Sequence, residues 1–177
     1  IAAEGIRVKL WEMRPQKPTV VHETGNLSEL VCSNSLKSDI KGTAQGLLKA
    51  EMRILGSLLL ECAEQTRVPA GSALAVDRLK FSQLVTERIE ANPLIEVIRE
   101  EVLNIPAGEV SIIATGPLTS EKFWQHLQSI TGSDNLYFFD AVAPSVTADS
   151  LNLEKVFKAS RYGKGTDDYY NCPLQKE

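Results

Sequence analysis

The chain has 177 residues, 43% of them hydrophobic and 24% charged, with a net charge of −4 at pH 7. That length suits one domain or two small pieces, and the composition excludes a disordered or fibrous chain. The acidic balance argues against nucleic-acid binding over the whole surface, though a local basic patch remains open.

No apolar run approaches the ~18 residues of a membrane span. The opening Ile1-Ala2-Ala3-Glu4-Gly5 lacks the basic and apolar regions of a secretory signal. Cys32, Cys62 and Cys172 are far apart and form no C-x-x-C pair, so neither a zinc site nor a redox dithiol is indicated. Three cysteines do not make a disulfide scaffold, and a reducing cytoplasm fits best.

In chain order, Ile1 to Glu4 suits the last turn of a helix, with Gly5 in the left-handed position beyond it. Ile6 to Trp11 alternates apolar and charged residues and reads as a strand closed by Glu12. Helix, glycine, strand and acid form the second half of a Rossmann βαβ unit, in which the acid hydrogen-bonds a ribose hydroxyl. The Gly-rich phosphate loop of such a unit lies ~20 residues before the acid, upstream of Ile1. The competing reading makes Glu12 an ordinary charged residue at a strand end.

Residues 14 to 46 are rich in Pro, Ser, Thr, Asn and Gly and read as a long loop around Cys32-Ser33-Asn34. Residues 44 to 66 read as one helix. Leu48, Met52, Leu55, Leu59 and Cys62 make its apolar stripe, and Cys62 is a core thiol on it. Val68 to Val76 is small and extended, and Gly71 permits close approach of a backbone or a ligand. Asp77 caps a helix ending near Asn92 before Pro93.

Leu94 to Ile98, Glu101 to Ile105, Val110 to Pro117 and Leu136 to Phe139 read as strands, the third of them buried. Thr119 or Ser120 caps a helix over Glu121 to Ile130 that Gly132 stops. The remainder is loop-rich. Recurrent strand–helix alternation makes the class α/β.

The only histidines, His22 and His126, lack partners at ligand spacing, so no metal site is expected. Cys32 and Cys172 both lie in polar loops, where a thiolate nucleophile needs a positive or dipolar neighbour. The alternative is two unremarkable loop cysteines. Lys155, Lys158, Arg161 and Lys164 interleave with Tyr162, Tyr169 and Tyr170, a pattern that suits phosphate pairing and base stacking. Glu154, Asp167 and Asp168 dilute that charge, which favours a solvated face.

Four segments occur in a characteristic order: Val8 to Pro15, Glu29 to Leu36, Val68 to Arg78 and Ala114 to Ser120. With Leu136 to Ala141, Ser160-Arg161-Tyr162 and Asn171-Cys172-Pro173, they resemble the folate- and FAD-dependent tRNA uracil-5-methyltransferases, the TrmFO or Gid family. The resemblance implies a partial Rossmann-like FAD-binding domain of glutathione-reductase type over residues 1–118. Residues 119–177 would begin an inserted α/β domain on the substrate or tRNA side.

The resemblance also assigns roles. Glu12 would match the ribose-binding acid, with Arg14, Ser33 and Asn34 near the cofactor. Val102 would approach the adenine side, and Ala114, Thr115 and Gly116 would form a second flavin-contacting strand end. Cys32 and Cys172 would match the two functional cysteines.

The implied reaction is methylation of carbon 5 of the T-loop uridine in the T-arm of tRNA. Methylenetetrahydrofolate would give the one-carbon unit and NADPH or NADH would reduce the flavin. A thiolate adding to carbon 6 of uracil makes carbon 5 nucleophilic. The sequence reads as a fragment of such a protein, and alone it is expected to bind FAD weakly or not at all and not to methylate tRNA. The alternatives are the related enzyme of the tRNA wobble uridine and a non-catalytic α/β binding module.

Overall fold

The computed structural model describes residues 1–132, 146–160 and 163–173. The expected strand at Leu136 to Phe139, and Arg161 and Tyr162 of the basic segment, lie outside the described residues. The class is α/β, with a parallel strand pair, antiparallel hairpins and four α-helices among the described residues. The chain divides into two compact units, Ile1–Leu27 with Thr86–Val142 and Ser28–Val85 with Ala143–Glu177. No helix among the described residues is long and apolar enough to cross a membrane.

The first unit holds the expected helix end, glycine and strand. A 3-10 turn at Ala2–Glu4 ends on Gly5, whose φ of 80° is left-handed, and β1 follows at Val8–Trp11. Its partner is β5, Ile95–Ile98, which pairs in parallel with Val8 opposite Ile95 and Trp11 opposite Ile98. Parallel neighbours need a crossover between them, and here that crossover contains everything from residue 12 to residue 94. The helix α4, Glu121–Thr131, starts where Ser120 accepts a hydrogen bond from the Phe123 amide and stops at Gly132, φ 62°, as its sequence signals require.

Two expected strands of this unit are not strands. Glu101 to Ile105 is irregular, and Val110 to Pro117 is exposed, irregular up to Thr115 and then entering a 3-10 turn, with Ile112 at 73% of its free surface. An apolar run becomes a strand only where another strand completes its hydrogen-bond ladder. β1 and β5 pair only with each other among the described residues.

The second unit is built on a hairpin of β3, Arg67–Val68, and β4, Ala73–Val76, extended by β2, Ser35–Ser38, in the sheet order β2-β4-β3. β4 is the inner strand. Leu74, Val76, Cys62 and Val85 are fully buried and Phe81 is buried with them, so Cys62 is the core thiol expected. Phe81 and Val85 lie on α3, Arg78–Glu90, where Asp77 accepts the Lys80 amide at 3.2 Å as the expected cap. A two-stranded hairpin, β6 at Phe157–Ala159 and β7 at Tyr169–Asn171, occupies the segment expected to be loop.

The single helix expected over residues 44 to 66 is two: α1, Ala44–Ile54, and α2, Leu58–Gln65. Gly56 lies between them with φ 68°, a left-handed residue that ends a helix. The break also undoes the apolar stripe. Leu48, Leu55 and Leu59 are exposed, and of that stripe only Cys62 is buried, beside Leu60 and Ala63. α1 is held close to the preceding loop. A side chain at Gly46 would collide with the Ile40 carbonyl, and the buried Lys49 ammonium donates to the Ser38 carbonyl at 2.8 Å and the Gln45 carbonyl at 3.2 Å.

Candidate functional site

Six of the expected cofactor residues lie in the first unit. Glu12 follows β1 directly, at the carboxyl end of a parallel strand, the edge at which open α/β sheets bind ligands. Its carboxylate is gripped by Arg14. The Arg14 amide and Nε both donate to Oε1 at 3.0 Å, and Nη2 donates to Oε2 at 3.1 Å. The guanidinium is buried and also donates to the carbonyl of Asn26 at 2.9 Å and that of Thr24 at 3.4 Å. Arg99 ties the same loop, donating to the Gly25 carbonyl at 2.6 Å and to Glu90 at 2.9 Å.

Burial is the largest single influence on Glu12 and acts to raise its pKa. The Arg14 hydrogen bonds and the charges of Arg14 and Arg99 together outweigh it and hold the carboxyl below the usual range. At neutral pH Glu12 is therefore an ionised acceptor. Oε1 takes two of the three hydrogen bonds and Oε2 takes one, which leaves Oε2 a lone pair for a hydroxyl donor. That free acceptor fits a ribose hydroxyl of a dinucleotide such as FAD.

Val102 is half-buried in a short irregular run fixed at both ends. Lys17 pairs with Glu101, and the Ile105 amide donates to Nε2 of His126 at 3.1 Å. Ala114, Thr115 and Gly116 are exposed at the start of a 3-10 turn, Gly116–Leu118. There the Thr115 and Thr119 hydroxyls lie 2.6 Å apart, and the Thr119 hydroxyl donates to the Gly116 carbonyl at 2.7 Å.

Ser33, Asn34 and the two candidate cysteines lie in the second unit. Cys32 and Cys172 are exposed free thiols, in contrast to the buried Cys62. Cys32 and Ser33 lead into β2. Asn34 fastens that approach to the end of β4, since its side-chain amide donates to the Val76 carbonyl at 3.0 Å and its carbonyl accepts the Val76 amide at 2.9 Å. Cys172 directly follows β7.

The strand before Cys172 is fixed to the turn of the β3–β4 hairpin. Asp168 accepts the Gly71 amide at 2.6 Å, and the Tyr169 hydroxyl donates to the Ala70 carbonyl at 3.0 Å. Gly71 makes the close approach its sequence context suggests. Its φ is 58°, and a side chain there would meet the carbonyls of Lys164 and Thr166 at 3.2 and 3.3 Å.

Sequence reasoning missed Asp168 and Tyr169 as anchoring residues. Their partners are almost a hundred residues away, and their local setting shows only charge and aromaticity. Lys158 and Tyr170 do meet, with the ammonium 5.3 Å from the ring centre, but as a cation–π pair across the β6–β7 hairpin.

Glu12 is an ionised acid at the carboxyl end of a parallel strand, the edge at which α/β proteins bind nucleotides. The family model of glucose inhibited division protein A matches residues 1–177. The chain belongs to that family, whose domain is a Rossmann-like FAD-binding one.

Among curated relatives, it is 67% identical to a methylenetetrahydrofolate–tRNA-(uracil-5-)-methyltransferase TrmFO of Syntrophomonas wolfei over 100% of this chain and 41% of the relative. A protein of the same name from Moorella thermoacetica is 59% identical over 99% of this chain and 40% of the relative. Another from Geobacter sulfurreducens is 58% identical over 100% of this chain and 41% of the relative. The chain thus spans about two fifths of the length of the relatives it matches.

Proposed function

We propose that this chain supplies part of a flavin-dependent methyltransferase that methylates carbon 5 of the T-loop uridine in tRNA. Methylenetetrahydrofolate would be the one-carbon donor and NADPH or NADH the reductant. The observation that carries the reading is the pair of exposed thiols, Cys32 and Cys172, on arms fastened to one hairpin within a chain that matches its family over its whole length.

In this reading Glu12 accepts a ribose hydroxyl of FAD, and Arg14 keeps that carboxylate ionised and in place. Ser33, Asn34, Val102, Ala114, Thr115 and Gly116 contribute the remaining cofactor contacts. Residues 1–118 belong to the FAD-binding domain and residues 119–177 begin an inserted domain. The flavin, once reduced by nicotinamide, supplies the reducing equivalents that turn a transferred methylene into a methyl group.

The chain's own chemistry is nucleophilic. Carbon 5 of uracil is a poor nucleophile until a thiolate adds to carbon 6, which makes it enolate-like and able to attack an electrophilic methylene. Loss of the carbon 5 proton then releases the carrier amine and leaves an exocyclic methylene; a hydride equivalent added to that methylene would give the methyl group as the thiolate leaves carbon 6 and the ring double bond is restored. One of Cys32 and Cys172 is the adding thiolate, and the other serves proton transfer or protects the first. The setting is a cytoplasmic tRNA-modifying enzyme.

The test is a chimera in which this chain replaces the matching segment of the Syntrophomonas wolfei relative. The chimera is expected to carry flavin bands near one-to-one stoichiometry and to form 5-methyluridine in tRNA, read by nucleoside mass spectrometry. A folded chimera that stays colourless with added FAD, or one that modifies only the wobble uridine, would overturn the reading.

A further inference from the structure

Cys172 extends from β7, and β7 pairs only with β6 among the described residues. An isolated two-stranded hairpin is marginal in water, so what fixes this arm lies elsewhere. Four features converge where it meets the turn of β3–β4. Asp168 accepts both the Gly71 amide, at 2.6 Å, and the Thr166 hydroxyl. The Tyr169 hydroxyl reaches the Ala70 carbonyl at 3.0 Å. Gly165 lies so near Gly71 and Ser72 that a side chain would stand 2.6 to 2.8 Å from their backbone. Gly71 in turn leaves room for the carbonyls of Lys164 and Thr166.

Within the hairpin, Asp167 accepts the Ser160 amide at 2.6 Å and Asn171 donates to the Ala159 carbonyl at 3.3 Å. The arm is therefore internally braced, and Asp168 and Tyr169 attach it to the Ala70–Gly71 turn. The opposite end of β4 holds the Cys32 approach through Asn34 and Val76. One short hairpin, β3–β4, is thus the common anchor of both thiol arms.

We propose that Asp168 and Tyr169 form a clasp that positions the Cys172 thiol by locking its arm onto the Ala70–Gly71 turn. Both are positioning residues, since neither side chain is needed for the bond-making itself. Bond formation to a bound base demands a thiol held within a few tenths of an ångström of its reacting position. An arm hinged only on β6 would not hold it there. The proposal rests on the reading of Cys172 as a functional thiol, but its structural part is measurable without any turnover.

The test uses the 177-residue chain and its Asp168→Ala, Asp168→Asn and Tyr169→Phe variants. Hydrogen exchange at the Gly71 amide and the alkylation rates of Cys32 and Cys172, read separately by peptide mass spectrometry, are compared. Asp168→Ala is expected to speed Gly71 exchange and to change the Cys172 alkylation rate, each by at least about threefold. Cys32 alkylation and the far-ultraviolet circular dichroism should stay unchanged. Asp168→Asn, which keeps an acceptor, should restore part of both effects, and Tyr169→Phe should give a smaller effect in the same direction.

In the chimera, Asp168→Ala is expected to lower kcat about tenfold while the KM for tRNA stays within about twofold and flavin content is unchanged. Unaltered Gly71 exchange and Cys172 alkylation in Asp168→Ala would overturn the clasp. So would equal changes at Cys32, which would mean general loosening. Clasp effects in the isolated chain beside a chimera that forms no 5-methyluridine would support the clasp and overturn the proposed function alone.

Discussion

Replacing Arg14 by Met removes a cation that is only 5% exposed and leaves its shape largely filled. Two side-chain bonds to Glu12, at 3.0 and 3.1 Å, disappear, along with the bonds to the carbonyls of Thr24 and Asn26. Breaking a buried ion pair from one side costs about 3–5 kcal/mol, because the remaining charge is stranded. Glu12 keeps the bond from the Arg14 amide, and its side chain retains 19% exposure, which places the loss near the lower end. About 3 kcal/mol is expected, a large part of the ~5–15 kcal/mol that holds a domain together.

The pH dependence has a definite sign. In the unsubstituted chain the folded pKa of Glu12 is depressed. Its contribution is therefore full above the ordinary carboxylate range and is lost as pH falls through the folded value. In Arg14→Met the guanidinium no longer opposes burial, so the folded pKa rises, and protonation relieves the stranded charge as pH falls. Urea unfolding should show a larger difference between the two proteins at pH 7 than at pH 5. Glu12→Gln added to Arg14→Met should recover part of the loss. A loss below about 1 kcal/mol at pH 7, or one that grows on acidification, would refute the reasoning.

Gly46→Ala should lower stability by about 3 kcal/mol, seen as a drop in melting temperature, because the obstacle is the Ile40 backbone carbonyl and not a movable side chain. Lys49→Met should cost about 2 kcal/mol in the same assay, since the Ser38 and Gln45 carbonyls lose a charged donor in a buried place.

What was legible in the sequence was mostly local. Gly5, Asp77, Ser120 and Gly132 mark helix ends through bonds to residues a few positions away, and each stands where its signal puts it. Gly71 was legible as a place of close approach, but the approaching chain was not, because Lys164 and Thr166 are distant in sequence. The stripe from Leu48 to Cys62 misled because periodicity reports one side of a helix only while the helix continues, and Gly56 breaks it. Val110 to Pro117 misled because apolar composition specifies no partner strand.

At the candidate site, Glu12 was legible as the acid that closes β1, while Arg14 was singled out only through the family resemblance. The bidentate grip of Arg14 on Glu12 was not, because two residues apart in sequence does not fix two side chains to face one another. Cys32 and Cys172 were singled out from their polar loops. Their common anchor on β3–β4 emerges only from pairings of Asn34 with Val76 and Gly71 with Asp168.

The most direct measurement is tRNA methylation by the chimera with each cysteine replaced in turn. Cys32→Ala and Cys172→Ala should each lower 5-methyluridine formation roughly a hundredfold or more with flavin retained. Cys62→Ala, at a fully buried position, should leave turnover near that of the parent and lower only the melting temperature. Full activity in both Cys32→Ala and Cys172→Ala would contradict the claim that the exposed thiols carry the chemistry.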